Sequence, residues 1–152
     1  MNKYFKYIIG ILIITILMGG IIICREQVYL EKSDISIDTS ENVRMFVAEA
    51  TVTPKGMTYY LESNSNDMIS YGADYILEVQ QKEGWYKVPL LGEGIEVIAV
   101  EYNFLRPEVR VYSVDWSRAY GTLEPGNYRL VKAMRNESKI FYEAAEFTIE
   151  RE

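Results

Sequence analysis

The hexapeptide Leu123-Glu124-Pro125-Gly126-Asn127-Tyr128 constrains this chain more than any other feature. Proline pre-sets the first dihedral of a turn, and glycine supplies the freedom to reverse the chain. Tyr128 then opens a strand, on the same side as Leu130, so its ring faces a core. From there its hydroxyl can reach back to the backbone a few residues upstream. Leu123, Pro125, Gly126 and Tyr128 thus have the form of a tyrosine corner, the device that opens the penultimate strand of Greek-key sandwiches.

The rest of the chain from Arg44 onward supplies the strands that such a sandwich needs. Alternation of apolar and polar residues predicts strands over Val47–Val52, Met57–Glu62, Asp74–Gln81, Trp85–Val88, Ile95–Val100, Val109–Trp116, Tyr128–Met134 and Ile140–Ile149. Turn residues separate them: Pro54-Lys55-Gly56, Ser63–Asp67, Lys82-Glu83-Gly84 and Asn136-Glu137-Ser138. Seven or eight short strands without a helical period indicate an all-β sandwich or barrel. Met57, Tyr59 and Leu61 fall on one face of their strand, and Tyr60 falls on the other with Thr58 and Glu62. In the last strand Ala145, Phe147 and Ile149 face inward, against Glu146, Thr148 and Glu150.

The N-terminus is of another kind. Ile8 to Cys24 reads IIGILIITILMGGIIIC, with no charge. As a helix it spans roughly 25 Å, close to the hydrocarbon core of a bilayer. Lys3 and Lys6 precede it, and a net-acidic stretch follows. The positive-inside rule then leaves the N-terminus in the cytoplasm and carries the remainder across a cell membrane in a single pass. An uncleaved anchor over 1–24 is the preferred reading. A cleaved signal lacks small residues at its cut site, and lipidation of Cys24 would follow Ile23, which is not small. Residues 25–43, polar and acidic, read as a solvated stalk, with Ile35 and Ile37 as the alternative start of an edge strand. Residues 44–152 form the domain.

Composition removes whole classes of chemistry. The 152 residues hold no histidine and one cysteine, Cys24. No intrachain disulfide, Cys/His metal site or His-assisted nucleophile can form. With Lys3 and Lys6 set aside, 14 of the 16 basic residues face 22 acids, a net charge of −8. Such a surface repels nucleic-acid phosphates and anionic lipid.

Several segments together resemble the bacterial Ig-like domains of Gram-positive membrane-anchored and secreted proteins. They are Tyr71-Gly72 with Tyr75–Glu78, Gly84–Pro89, Val114–Trp116, Tyr120–Leu123, Gly126–Arg129 and Ala145–Phe147. The resemblance spans about Met45 to Glu150. It implies an immunoglobulin-like Greek-key sandwich and a non-catalytic surface module, and it carries over neither catalytic residues nor a disulfide.

The remaining clusters point the same way. Glu143, Glu146, Glu150, Asp74 and Glu78 read as a solvated acidic face; a carboxylate-based hydrolase is the least favoured alternative. Ser63–Asp67 offers one carboxylate, so it reads as a turn before a calcium loop. No catalytic residue, cofactor or metal is expected. Tyr60, Tyr142, Trp85 and Trp116 are the candidate aromatics for a protein or glycan ligand, with core packing the competing reading for both tryptophans. The expected function is interaction or adhesion at the cell surface. The alternative is an accessory or sensor subunit of another membrane protein, with Gly10, Gly19 and Gly20 permitting close helix approach. Lys132 shares the alternation of Tyr128 and Leu130, so either its strand leaves the core there or the side chain snorkels out.

Overall fold

A computed structural model describes residues 30–38, 42–92 and 100–151 and folds them into two antiparallel sheets. β1 (Val43–Val47), β2 (Gly56–Ser63) and β7 (Glu108–Asp115) form a three-stranded sheet in the order β1-β2-β7. In the second sheet β8 (Gly126–Arg135) pairs with β9 (Ile140–Ile149) on one side. On its other side it pairs with both β3 (Ile69–Gly72) and β4 (Ile76–Gln81). β5 (Gly84–Lys87) adds to β4, and β6 (Glu101–Phe104) adds to β3. A 3-10 turn (Glu49–Thr51) and the one-turn helix α1 (Ser117–Tyr120) are the helical pieces among the described residues. This all-β arrangement fits the Ig-like sandwich.

The core lies where the alternations predict. Met57, Tyr59 and Leu61 from β2 meet Leu77, Tyr128, Leu130, Met134, Phe141, Ala145, Phe147 and Ile149 from the larger sheet. Tyr128 donates its hydroxyl to the Glu124 carbonyl at 2.8 Å, closing the corner that the hexapeptide encodes.

Some expectations are corrected. The strand expected over Val47–Val52 is displaced to Val43–Val47. Beyond it the Thr51 hydroxyl bonds the Ala48 carbonyl and accepts from the Thr58 amide, which winds the chain into a 3-10 turn. β3 and β6 had no clear alternation to announce them. The strand expected over Ile95–Val100 lies almost wholly outside the described residues, as does the anchor at 1–24. Among the described residues no helix is long and apolar enough to cross a membrane.

The stretch read as a stalk is, over 30–38, part of the fold. Lys32 bridges antiparallel to Tyr86 in β5. The Lys87 amide donates to Glu31 and the Ser33 amide to Trp85, both at 2.9 Å. The chain then crosses the outer face of the larger sheet, and the Asp38 amide reaches the Tyr142 carbonyl in β9 at 3.0 Å. Free backbone groups on the β5 edge account for this docking, since an unpaired edge accepts another strand.

β3 and β4 are one line broken by a bulge. Tyr71 pairs with Met134 and Ile76 with Val131, so four residues on one side oppose two on the other. Lys132 sits at that break and stays in phase with the core, neither leaving it nor snorkelling out. Its ammonium donates to the carbonyls of Gly72 (2.8 Å) and Asp74 (2.7 Å), which replaces ladder bonds lost at the bulge.

Candidate binding surfaces

The three-stranded sheet leaves its outer face open among the described residues. Register places Phe46 opposite Tyr60 and Tyr60 opposite Val111, with Val109 two residues along β7. Phe46 and Tyr60 stack, centroids 5.1 Å apart. Phe46, Val109 and Val111 remain between 44 and 58% exposed, although each belongs to a residue type that burial favours. The result is a flat apolar row with one half-buried tyrosine at its centre. Tyr60 was reached in the sequence by alternation. Phe46 was not, because the strand that carries it was placed too late in the chain. Val109 and Val111 carry no clear signal, because Ser113 and Asp115 share their face while Tyr112 and Val114 share the opposite one with Glu108 and Arg110.

The outer face of the larger sheet is different, because residues 30–38 lie on it. Glu78 points outward from β4 yet is 0% exposed. It pairs with Arg129 Nε at 2.5 Å and accepts a short hydrogen bond from the Ser33 hydroxyl. Arg129 also donates to the Ile35 carbonyl and lies 4.6 Å over the Trp85 ring. Trp85 is therefore half-buried in this cluster, and Tyr142 is half-buried where the segment ends. The reading of all five acids as a solvated face is corrected for two of them. Glu78 is covered, and Glu143 faces inward in phase with Ala145 and Phe147.

Trp116 is not an exposed anchor. It is fully buried, donates its indole N–H to the Pro54 carbonyl at 3.0 Å and stacks on Phe147. Trp116, Phe147 and Tyr128 form one column of rings that ties the corner to the opposite sheet.

Concavities lie among the described residues. A groove of about 580 Å³ lies at the end of the sandwich where β8 starts and β9 stops, walled by Trp85, Gln80, Asn127, Glu49, Glu146 and Glu150. One of about 270 Å³ is lined by Ser70, Gly72, Glu101, Arg135 and Ile140. Another, about 110 Å³, is lined by Tyr59, Tyr71, Tyr75, Tyr102, Tyr112 and Lys132. Within it Tyr71 and Tyr112 share a hydroxyl hydrogen bond of 2.7 Å, and Arg110 donates to Tyr71 at 2.9 Å. Burial pulls the Lys132 amine down to about 8, against a smaller upward pull from Asp74, and pushes the Tyr75 hydroxyl up to about 12. The space is too small for a drug-sized ligand, and the Tyr71 and Tyr112 hydroxyls and the Lys132 ammonium already have partners.

The loops over 63–67 and 136–138 are turns. Ser63 and Ser65 hydroxyls accept the amides of Ser65 and Asp67. Asn136 Oδ1 accepts the amides of Ser138 and Lys139.

The family model described as "Bacterial Ig-like domain" matches residues 39–150. The chain belongs to this bacterial Ig-like domain family. Its corner, its column of rings and both sheets of this bacterial Ig-like domain lie within the matched residues. No curated protein sequence matches. Among solved structures it is similar to the ASH/PapD-like domain of human CEP192 (PapD-like domain 7), at 11% identity and a TM-score of 0.30, covering 82% of this chain and 97% of that one. At that distance residues do not correspond.

Proposed function

We propose that this bacterial Ig-like domain is a non-catalytic binding module held outside a cell membrane by residues 8–24, and that it engages a protein partner through the outer face of its three-stranded sheet. The exposed row of Phe46, Tyr60 and Val111 carries this reading. It is flat, which suits a protein surface better than a small molecule. It also offers the rigid aromatic anchors that concentrate binding energy at interfaces. The partner chemistry that fits is a protein presenting its own apolar strip. Catalysis is disfavoured because, without histidine, a base active near neutrality must be a shifted carboxylate or lysine. Lys132 is so shifted, and it is held by two backbone carbonyls in a cavity of about 110 Å³. A sensor or accessory role, with the anchor helix itself recognising another membrane protein, is the second reading.

The test is photocrosslinking in intact cells with a probe amino acid replacing Val109, followed by capture with Tyr60→Ala and Val111→Ser variants. The expected result is one protein adduct that both substitutions reduce at least tenfold, the loss of roughly 1.4 kcal/mol or more that one anchor supplies. An adduct formed equally well by both variants would remove this face from the binding role.

A further inference from the structure

The end of the sandwich where β8 stops and β9 begins carries exposed apolar side chains that the fold does not use. Ile69 pairs with Phe104, Ser70 with Arg135, and Arg135 with Ile140, so these residues share one level. At or just beyond that level stand Met68, Leu105 and Ile140, between 50 and 69% exposed. Arg106, Arg135 and Lys139 accompany them, with Asp67 and Glu137 as the neighbouring acids and Asp38 paired to Lys139. This is the end with exposed apolar side chains and balanced charge; the opposite end holds the groove walled by Glu49, Glu146 and Glu150.

The chain traced backward from Ser33 heads for the same end. β5 is antiparallel to β4, and β4 to β8, so β5 runs in the direction of β8 toward Arg135. Residues 31–33 are antiparallel to β5, so tracing them from Ser33 to Glu31 gives that direction too. Glu31 is level with Lys87, which pairs with Glu78 and through it with Arg129. Leu30 then stands about five residues below the level of Arg135, roughly 17 Å at strand rise. Five residues, 25–29, separate Leu30 from the end of the apolar run at Cys24. Leu30 and Cys24 are six residues apart in sequence, roughly 21 Å fully extended, and Met68 and Leu105 stand two residues beyond the level of Arg135. The tether is no longer than the distance to the tip.

We infer that this end of the domain rests in the interfacial region of the bilayer, with Met68, Leu105 and Ile140 inserted among the lipid headgroups. The inference rests on the reading of residues 8–24 as a retained anchor. A tether that only reaches the tip leaves no room for a water layer between tip and membrane. Apolar side chains gain by leaving water at that depth, while the cations and acids beside them stay among the polar headgroups. The acidic groove is held on the far side, and the strands stand along the membrane normal.

The test uses the full chain in phosphatidylcholine vesicles, with Cys24→Ser and one cysteine introduced at a time for an environment-sensitive fluorophore. The positions are Met68→Cys, Leu105→Cys and Ile140→Cys, with Thr148→Cys at the opposite end as reference. A blue-shifted emission at the first three, quenched by spin-labelled lipid, with Thr148→Cys unshifted, is expected. Alkaline carbonate extraction of the same vesicles reports on the anchor separately. A chain that resists extraction while all four labels report water overturns the tip contact and leaves the anchor standing. A chain that carbonate releases overturns both.

Discussion

Lys132 shows what a single buried charge does to the pH response of a sandwich. In the folded chain its amine titrates near 8, chiefly through burial; in the unfolded chain it returns to its ordinary 10.5. Between those values the unfolded state holds the extra proton, so stability rises with pH across that window. The groups around it are Asp74, Tyr71 and the cross-strand Glu143, with the cavity tyrosines beyond. Burial raises Tyr59, Tyr71, Tyr75, Tyr120 and Tyr128, so they ionise first in the unfolded chain and reverse the trend above about 10. A neutral amine keeps two N–H donors, enough for both carbonyls. The wild-type melting temperature is therefore expected to climb from pH 7.5 to 9.5. Lys132→Met should flatten that climb, in calorimetry of the chain in detergent; an equal climb in both would discard the assignment. Tyr128→Phe tests the corner. Glu124 is exposed, so water can satisfy its carbonyl once the hydroxyl is gone, and the loss should be about 1 kcal/mol in urea denaturation. An unchanged midpoint would reduce Leu123–Tyr128 to an ordinary turn.

Among the elements, residues 30–38 change the outer face of the larger sheet most. They turn Glu78 and Arg129 from a surface pair into a buried one, at 0 and 7% side-chain exposure. Removing one partner of such a pair leaves the other charge without compensation. Glu78→Gln is accordingly expected to destabilise by about 3 kcal/mol, and the double change Glu78→Met with Arg129→Met to recover most of that. Equal urea midpoints for wild type and Glu78→Gln would show the pair to be solvated. None of this was legible in the sequence. Residues 30–38 dock by backbone hydrogen bonds to an edge, and such bonds leave no mark in side-chain periodicity. β2, β7 and β9 were legible because one face of each is turned toward the other sheet, which imposes a period of two; β8 is buried on both faces over Tyr128–Lys132 and was legible through the corner that opens it. β3 and β6 escaped because four residues are too few to display a period, and a bulge interrupts the line that β3 shares with β4.

For the whole molecule, sandwich and family were readable because the corner and the turn spacing are encoded locally. The candidate site was readable only in part. Alternation separates outward from inward residues, and so found Tyr60, but it does not reveal what later covers an outward face. Trp85 and Tyr142 point outward and are partly covered by the N-terminal segment. Trp116 follows β7's last residue and turns into the core, where only its packing on Phe147 identifies its role. The antiparallel limb at residues 31–33 also fixes how the molecule carries load. That limb runs in the direction of β9, since each of β5, β4, β8 and β9 reverses the one before. From Leu30 the described chain therefore runs away from the Ile140 end, and β9 leaves the sheet in that same direction. Tension between the two ends acts along the strands, so the bonds joining Glu31 and Ser33 to β5 are strained together in shear and resist as a group, instead of peeling open one after another.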